Sequence, residues 1–264
     1  MARRLTVSLG LGFAAFAFAA GASAAPRYVD RGITGQRYVF AGDVGLGLVH
    51  SRIGNNDAVG AGLNLEGSFA VSHSVELGVR TGARFGTQSQ LRQADQYGRT
   101  LWTETWGTGN GAPFANPEIR VRWAAYSGRV VEVGLDWRMY VPGEAGTSFG
   151  LGFGAPLAFH VGDILRIDTG IYIPVVFDNP ASTVISAPAY FWFQASPHVW
   201  LGPMIGVRHV NPPGPSRDDI LLGFGIGYQV ASAVDLKWMF LMPRVNDDNR
   251  AFGVGFGVQF RIGE

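Results

Sequence analysis

The sequence predicts an all-β chain, folded as one up-and-down antiparallel barrel of about twelve strands. Three observations predict it. Hydrophobic residues recur at every second position through most of the chain. The links between these runs are alternately short and long. The chain has 38 glycines and only 16% charged residues, against about 25% in ordinary soluble domains.

Taken in chain order, residues 40–49 set Val44, Leu46 and Leu48 opposite Asp43, Gly45 and Gly47. Residues 59–71 set Val59, Ala61, Leu63, Leu65, Phe69 and Val71 against Gly60, Gly62, Asn64, Glu66, Ser68 and Ala70. In residues 75–86, Val75, Leu77, Val79, Ala83 and Phe85 oppose Glu76, Gly78, Arg80, Gly82 and Arg84. Ile119, Val121 and Trp123 oppose Glu118, Arg120 and Arg122, and Val131, Val133, Leu135, Trp137 and Met139 oppose Glu132, Gly134, Asp136 and Arg138. Phe149, Leu151, Phe153, Leu157 and Phe159 oppose Gly150, Gly152, Gly154 and His160. Leu165, Ile167, Ile171 and Ile173 oppose Arg166, Asp168, Gly170 and Tyr172. Residues 183–194 are apolar on both parities, and residues 199–210 carry Pro203 mid-run, which predicts an edge strand or a bulge. Ile220, Leu222, Phe224, Ile226 and Tyr228 oppose Gly223, Gly225, Gly227 and Gln229. Val234, Leu236, Trp238 and Phe240 oppose Asp235, Lys237 and Met239. Phe252, Val254, Phe256, Val258 and Phe260 oppose Gly253, Gly255, Gly257 and Gln259. Strand side chains point alternately to the two faces, so each run has one apolar face and one polar or tiny face. A helix would scatter these charges around its circumference.

Short turns fall at 72–74, 127–128, 162–163, 196–197 and 231–232. Longer links fall at 51–57, 88–116, 143–147, 178–182, 211–219 and 246–250. That alternation suits a meander with tight turns at one end of a barrel and loops at the other. An even strand count returns both termini to the tight-turn end.

The first residues have the make-up of an export leader. Arg3 and Arg4 precede an apolar run from Leu5 to Ala20, and Ala22-Ser23-Ala24 is a small-residue cleavage site. The expected organisation is a leader at 1–24, an N-terminal periplasmic segment at 25–37 and a barrel at 38–264. No later stretch offers the ~20 apolar residues of a membrane helix. The absence of cysteine excludes disulfides and cysteine-ligated metals. A net charge of +1 argues against a nucleic-acid binder, and the 47% hydrophobic content argues against disorder. No cofactor is expected.

A soluble sandwich also has one apolar face per strand, so the other face decides. Here it carries glycine interleaved with Arg, Glu and Asp, the composition of a cramped interior rather than of a solvated surface. Aromatics gather near strand ends at Phe40, Phe69, Phe85, Trp123, Trp137, Phe159, Phe177 and Trp238. Only helices and closed barrels can span a bilayer, because every backbone polar group must be paired. On these residues the chain resembles a bacterial outer-membrane β-barrel over nearly its whole length after the leader. The spacing of Phe252, Val254, Phe256, Val258 and Phe260 resembles the last strand of that group, although the chain runs on through Arg261, Ile262, Gly263 and Glu264. The resemblance implies a transmembrane barrel in the outer membrane of a Gram-negative envelope. Its implied partners are outer-membrane lipids, the barrel-assembly machinery and small solutes.

The inward charges are the first candidate functional group. Arg80, Arg84, Arg120, Arg122 and Arg138 interleave with Glu66, Glu76, Glu118, Glu132 and Asp136. They predict either a paired network filling a closed lumen or a basic stripe lining a pore for small polar or anionic solutes. The 88–116 link carries Tyr97, Trp102, Trp106 and Phe114, a candidate constriction or ligand loop. Inward glycines on the first, second, tenth and last strands predict an arc of wall without side chains, along which an open path would run. Gly146-Thr147-Ser148-Phe149-Gly150 matches G-x-S-x-G, but a strand pattern follows it where a hydrolase elbow needs a helix. No close histidine ligand spacing exists, so no metal site is expected. The expected function is a small channel and not an enzyme. The alternatives are a closed structural or surface-interaction barrel and, at a lower rank, a lipid-acting hydrolase using His50 and Ser51.

Overall fold

A computed structural model describes residues 26–53, 56–86, 114–142, 148–177, 181–211, 215–246 and 251–263. Twelve strands follow one another: β1 (Phe40–Ile53), β2 (Asn56–Ala70), β3 (Val75–Gly86), β4 (Phe114–Ser127), β5 (Val131–Tyr140), β6 (Gly150–Val161), β7 (Leu165–Val176), β8 (Ser182–Gln194), β9 (Val199–Asn211), β10 (Arg217–Ala231), β11 (Val234–Met242) and β12 (Phe252–Ile262). Each strand is antiparallel to its sequence neighbours, and β1 pairs with β12, so the sheet closes. Closure leaves no row of unpaired backbone groups, the condition for placing a sheet in hydrocarbon.

Register carries the sequence parity around the wall. Leu46 stands opposite Leu63 and Phe256, and its neighbour Gly47 stands opposite Gly62 and Gly255. The apolar set therefore stays outside on strand after strand, where Leu46, Leu48, Val79, Phe153 and Val207 are all exposed. Exterior aromatics include Phe40, Phe69, Trp123, Trp137, Phe177 and Trp238. An apolar surface that encircles the molecule fits lipid and not water. Most of the charged set points inward and is buried, as at Glu76, Arg80, Arg120, Arg122, Asp136 and Arg138.

Two expectations are corrected. Pro203 is neither at an edge nor in a bulge. It sits inside β9 opposite Phe224 of β10, and the β8–β9 register is the same on either side of it. A closed barrel has no edge to offer, so the missing N–H is absorbed as a gap in the β8–β9 ladder, between Tyr190↔Met204 and Phe193↔Leu201. The long link is also shorter than its polarity suggests, because β4 begins at Phe114, which pairs with Ala83. The leader and the aromatics Tyr97, Trp102 and Trp106 lie outside the described residues.

The short turns share one end with both ends of the barrel, since Phe40 pairs with Ile262. In the β6–β7 turn Gly162 has φ +57°, a conformation that most side chains resist. Tyr38 takes φ 63°, where the chain turns into β1. Two backbone hydrogen bonds hold it there: Tyr38 N–H donates to Ala70 O (2.7 Å), and Ala70 N–H donates to Val39 O (3.2 Å).

Candidate functional site: the lumen

The inward arginines of β3–β5 meet carboxylates because the register places them in shared rows. Arg122 stands between Glu76 and Asp136, and Arg80 stands opposite Glu118. Arg120 stands opposite Arg138, so each of these two must reach sideways. Arg120 reaches Glu66 (3.0 Å) and Glu76 (2.6 Å). Arg138 reaches Asp136 (2.6 Å) and Glu118 (3.7 Å). Arg122 donates two bonds to Asp136, at 2.7 and 2.9 Å, and Arg80 donates to Asn64 at 2.7 Å. These groups are buried, and mutual neutralisation lets them stay charged there. Arg84 lies in β3 opposite Gly62. Of the two forms foreseen for the inward charges, the described geometry is the paired network.

Glu132 stands apart from that network and holds the N-terminal segment. Residues 26–39 run along the inside of the short-turn mouth from β9 to β2. Tyr28 stacks on Trp200 at 4.7 Å. Val29 N–H donates to Gln194, and Val29 O lies 2.7 Å from His160 Nδ1. Arg166 donates to Arg31 O. Ile33 N–H donates to Glu132 (2.9 Å), whose other oxygen meets His160 Nε2 (2.9 Å). Arg122 donates to Ile33 O, and Gly35 N–H donates to Glu76 (2.8 Å). The segment borrows hydrogen-bond partners from the wall in place of a sheet of its own. Arg31 also spans the remaining gap to Asp235 of β11 at 2.5 Å, and Arg261 joins the same carboxylate at 2.6 Å.

The glycine arc divides in two. On β10, a Cβ on Gly227 would fall 2.0 Å from the ring of Trp200, and one on Gly225 would fall 2.6 Å from Trp192. These rings belong to an inward apolar cluster with Tyr190, Met204, Leu221 and Leu241, against which Tyr28 and Met239 pack. This part of the arc is filled. On β1 and β12, the single atom within 4 Å of a Cβ on Gly47 would be Val254 O (3.7 Å), and on Gly255 it would be Leu46 O (3.9 Å). Among the described residues, no side chain fills the lumen over this part of the wall. Its neighbouring polar groups are Asn64, Glu66, Gln259 and the pair Asp43–Lys237, at 2.8 Å.

Sequence reasoning passed over Asp43, Lys237, Asp235, Arg261 and the whole of residues 26–39. Lys237 carried a signal: it is the one lysine of the chain, and it has inward parity. Phe114 is the first residue of β4. His50 faces outward and stacks on Phe252 at 5.3 Å. Ser148 precedes a strand, so the helix that a nucleophile elbow requires is replaced by β6. Among the described residues, no group of three His, Asp or Glu is placed to hold a metal.

No protein-family model and no curated protein matches the chain. Solved structures do. The chain is similar to an outer-membrane channel of Pseudomonas putida F1, with a TM-score of 0.61 and 9% identity, over 87% of this chain and 97% of that one. It is similar to the NanC porin, with a TM-score of 0.59 and 9% identity, over 84% and 100% of the two chains. It is similar to the KdgM porin, with a TM-score of 0.55 and 8% identity, over 84% and 99%. At these identities the likeness is one of fold, and the fold is that of a bacterial outer-membrane β-barrel, porin-like in architecture.

Proposed function

We propose that this barrel is a narrow, non-enzymatic channel of the outer membrane. It passes small polar solutes, anions in preference, along the glycine wall of β12, β1 and β2. One observation carries the reading: among the described residues no side chain comes close over Gly47 and Gly255, while the apolar cluster fills the β8–β10 side and ion pairs fill the β3–β5 side. Arg120, Arg122 and Arg138 act as filler and frame, because their charge is neutralised within the wall. The short-turn mouth adds to the anion preference, because two arginines, Arg31 and Arg261, share the one carboxylate of Asp235 there. The N-terminal segment narrows that mouth, so conductance is small. Outer-membrane lipids contact the exterior, and insertion runs through the barrel-assembly machinery.

The second reading is a closed structural barrel. It is favoured by the same segment, which runs along the inside of the mouth from β9 to β2. Planar-bilayer recording of the purified chain decides between them. A small, steady single-channel current with anion selectivity supports the channel. Bilayers that stay silent with demonstrably folded protein leave the closed barrel.

A further inference from the structure

The open wall carries an ion pair of its own, and its geometry is unlike that of the buried network. Lys237 points inward from β11 and Asp43 from β1, with all of β12 between them. The pair therefore spans two interstrand spacings, about 10 Å of wall. Gly257 makes this possible. It lies opposite both Gly45 and Lys237, and a Cβ there would sit 3.5 Å from the Asp43 carboxylate. On the far side of Lys237, Trp200 covers Gly227, and the lysine reaches the other way, across β12 to Asp43. The side chains lie flat across a glycine and remain partly wet, 9% and 16% exposed, while Asp136 in the network is at 0%.

Two further facts give the pair an electrostatic task. Asp43 stands directly opposite Glu66 on β2, two like charges side by side. Glu66 is drawn away by Arg120, and Asp43 by Lys237. Toward the long-link end, the inward residues of this wall are uncharged: Gly47, Gly255, Met239 and Leu241. On β11, β12 and β1, Lys237 and Asp43 are the first inward charges from that end.

We infer that Lys237 and Asp43 determine the charge selectivity of the path. The ammonium is the contact for a passing anion, and Asp43 holds it against the wall. This rests on the channel reading, and the test separates the two. Reversal potentials are measured in planar bilayers under a salt gradient, with heat-modifiable electrophoretic mobility as the check of folding. Lys237→Gln leaves Asp43 beside Glu66 and shifts selectivity toward cations. Asp43→Asn removes the carboxylate charge 2.8 Å from the ammonium and shifts selectivity toward anions. Each shift is about tenfold in the permeability ratio, the low end of what lining charge does to local ion concentration. Because the chain has no cysteine, Lys237→Cys gives a version independent of folding. A cationic thiosulfonate added to the assembled barrel restores the wild-type reversal potential, and an anionic one reverses its sign. A conducting wild type with reversal potentials unchanged in all three variants overturns the inference and leaves the channel standing. A silent wild type overturns the channel itself.

Discussion

Gly47 and Gly227 share a parity and lie on the same arc of the barrel, yet replacing each with alanine should have opposite effects. At Gly47 the added methyl group meets one carbonyl oxygen at 3.7 Å. The change narrows the unfolded ensemble and should stabilise by about 0.4–1 kcal/mol. At Gly227 the methyl group falls 2.0 Å from the Trp200 ring. That ring is buried and stacked face to face on Tyr28, so it cannot swing aside without disturbing the N-terminal segment. Overpacking of this kind costs about 1–3 kcal/mol. The two variants should therefore differ by about 1.5–4 kcal/mol, with wild type between them. Reversible urea unfolding in lipid or detergent reads the difference as a shift in midpoint at constant slope. Tryptophan fluorescence should change in the Gly227→Ala native state and not in Gly47→Ala. Equal stabilities for the two variants would refute the division of the arc into filled and open parts.

Other substitutions test the exterior, the network and the segment. Leu46 is 61% exposed at the middle of β1, and Leu46→Arg should cost about 2–4 kcal/mol and lower the yield of heat-modifiable barrel, while Gly47→Ser beside it assembles normally. Asp136→Asn leaves Arg122 and Arg138 without their shared carboxylate and should cost about 3–5 kcal/mol in urea unfolding, while Asp163→Asn on the exposed β6–β7 turn stays within about 0.5 kcal/mol. Glu132→Ala removes the acceptor of Ile33 N–H, so hydrogen exchange should speed up at Ile33 and not at strand amides remote from it.

The wall was legible in the sequence because its physics is periodic. Alternation at Val59, Ala61, Leu63 and Leu65 gives a strand, its outer face and its register sense at once, and the same rule serves most of the other strands. The inward charges of β3–β5 were legible for the same reason, though not their pairing. Arg120 and Arg138 prove to be direct neighbours, a relation that only register reveals. Residues 183–194 read as apolar on both faces, and the structure supplies the cause: Tyr190 and Trp192 face an apolar half of the lumen while Ile185 and Phe193 face outward. The N-terminal segment was illegible. Its fold is set by bonds such as Arg31–Asp235, 204 residues apart, and by no repeat of its own. The open part of the glycine arc was hidden likewise, since Gly227 and Gly47 look alike until Trp200 is placed over one of them.

On the channel reading, open lumen runs along β12 and β1, and the inward face of β6 is closed at Ala158. The absence of cysteine makes this directly measurable. Gly47→Cys, Gly255→Cys and Ala158→Cys each place one thiol at an inward position, and Ala158 is fully buried. Each folded variant is exposed in a planar bilayer to a water-soluble thiosulfonate while current is recorded. Current should fall stepwise for Gly47→Cys and Gly255→Cys, and Ala158→Cys should give no response. Modification of Ala158→Cys, or none at the two glycine positions, would contradict it.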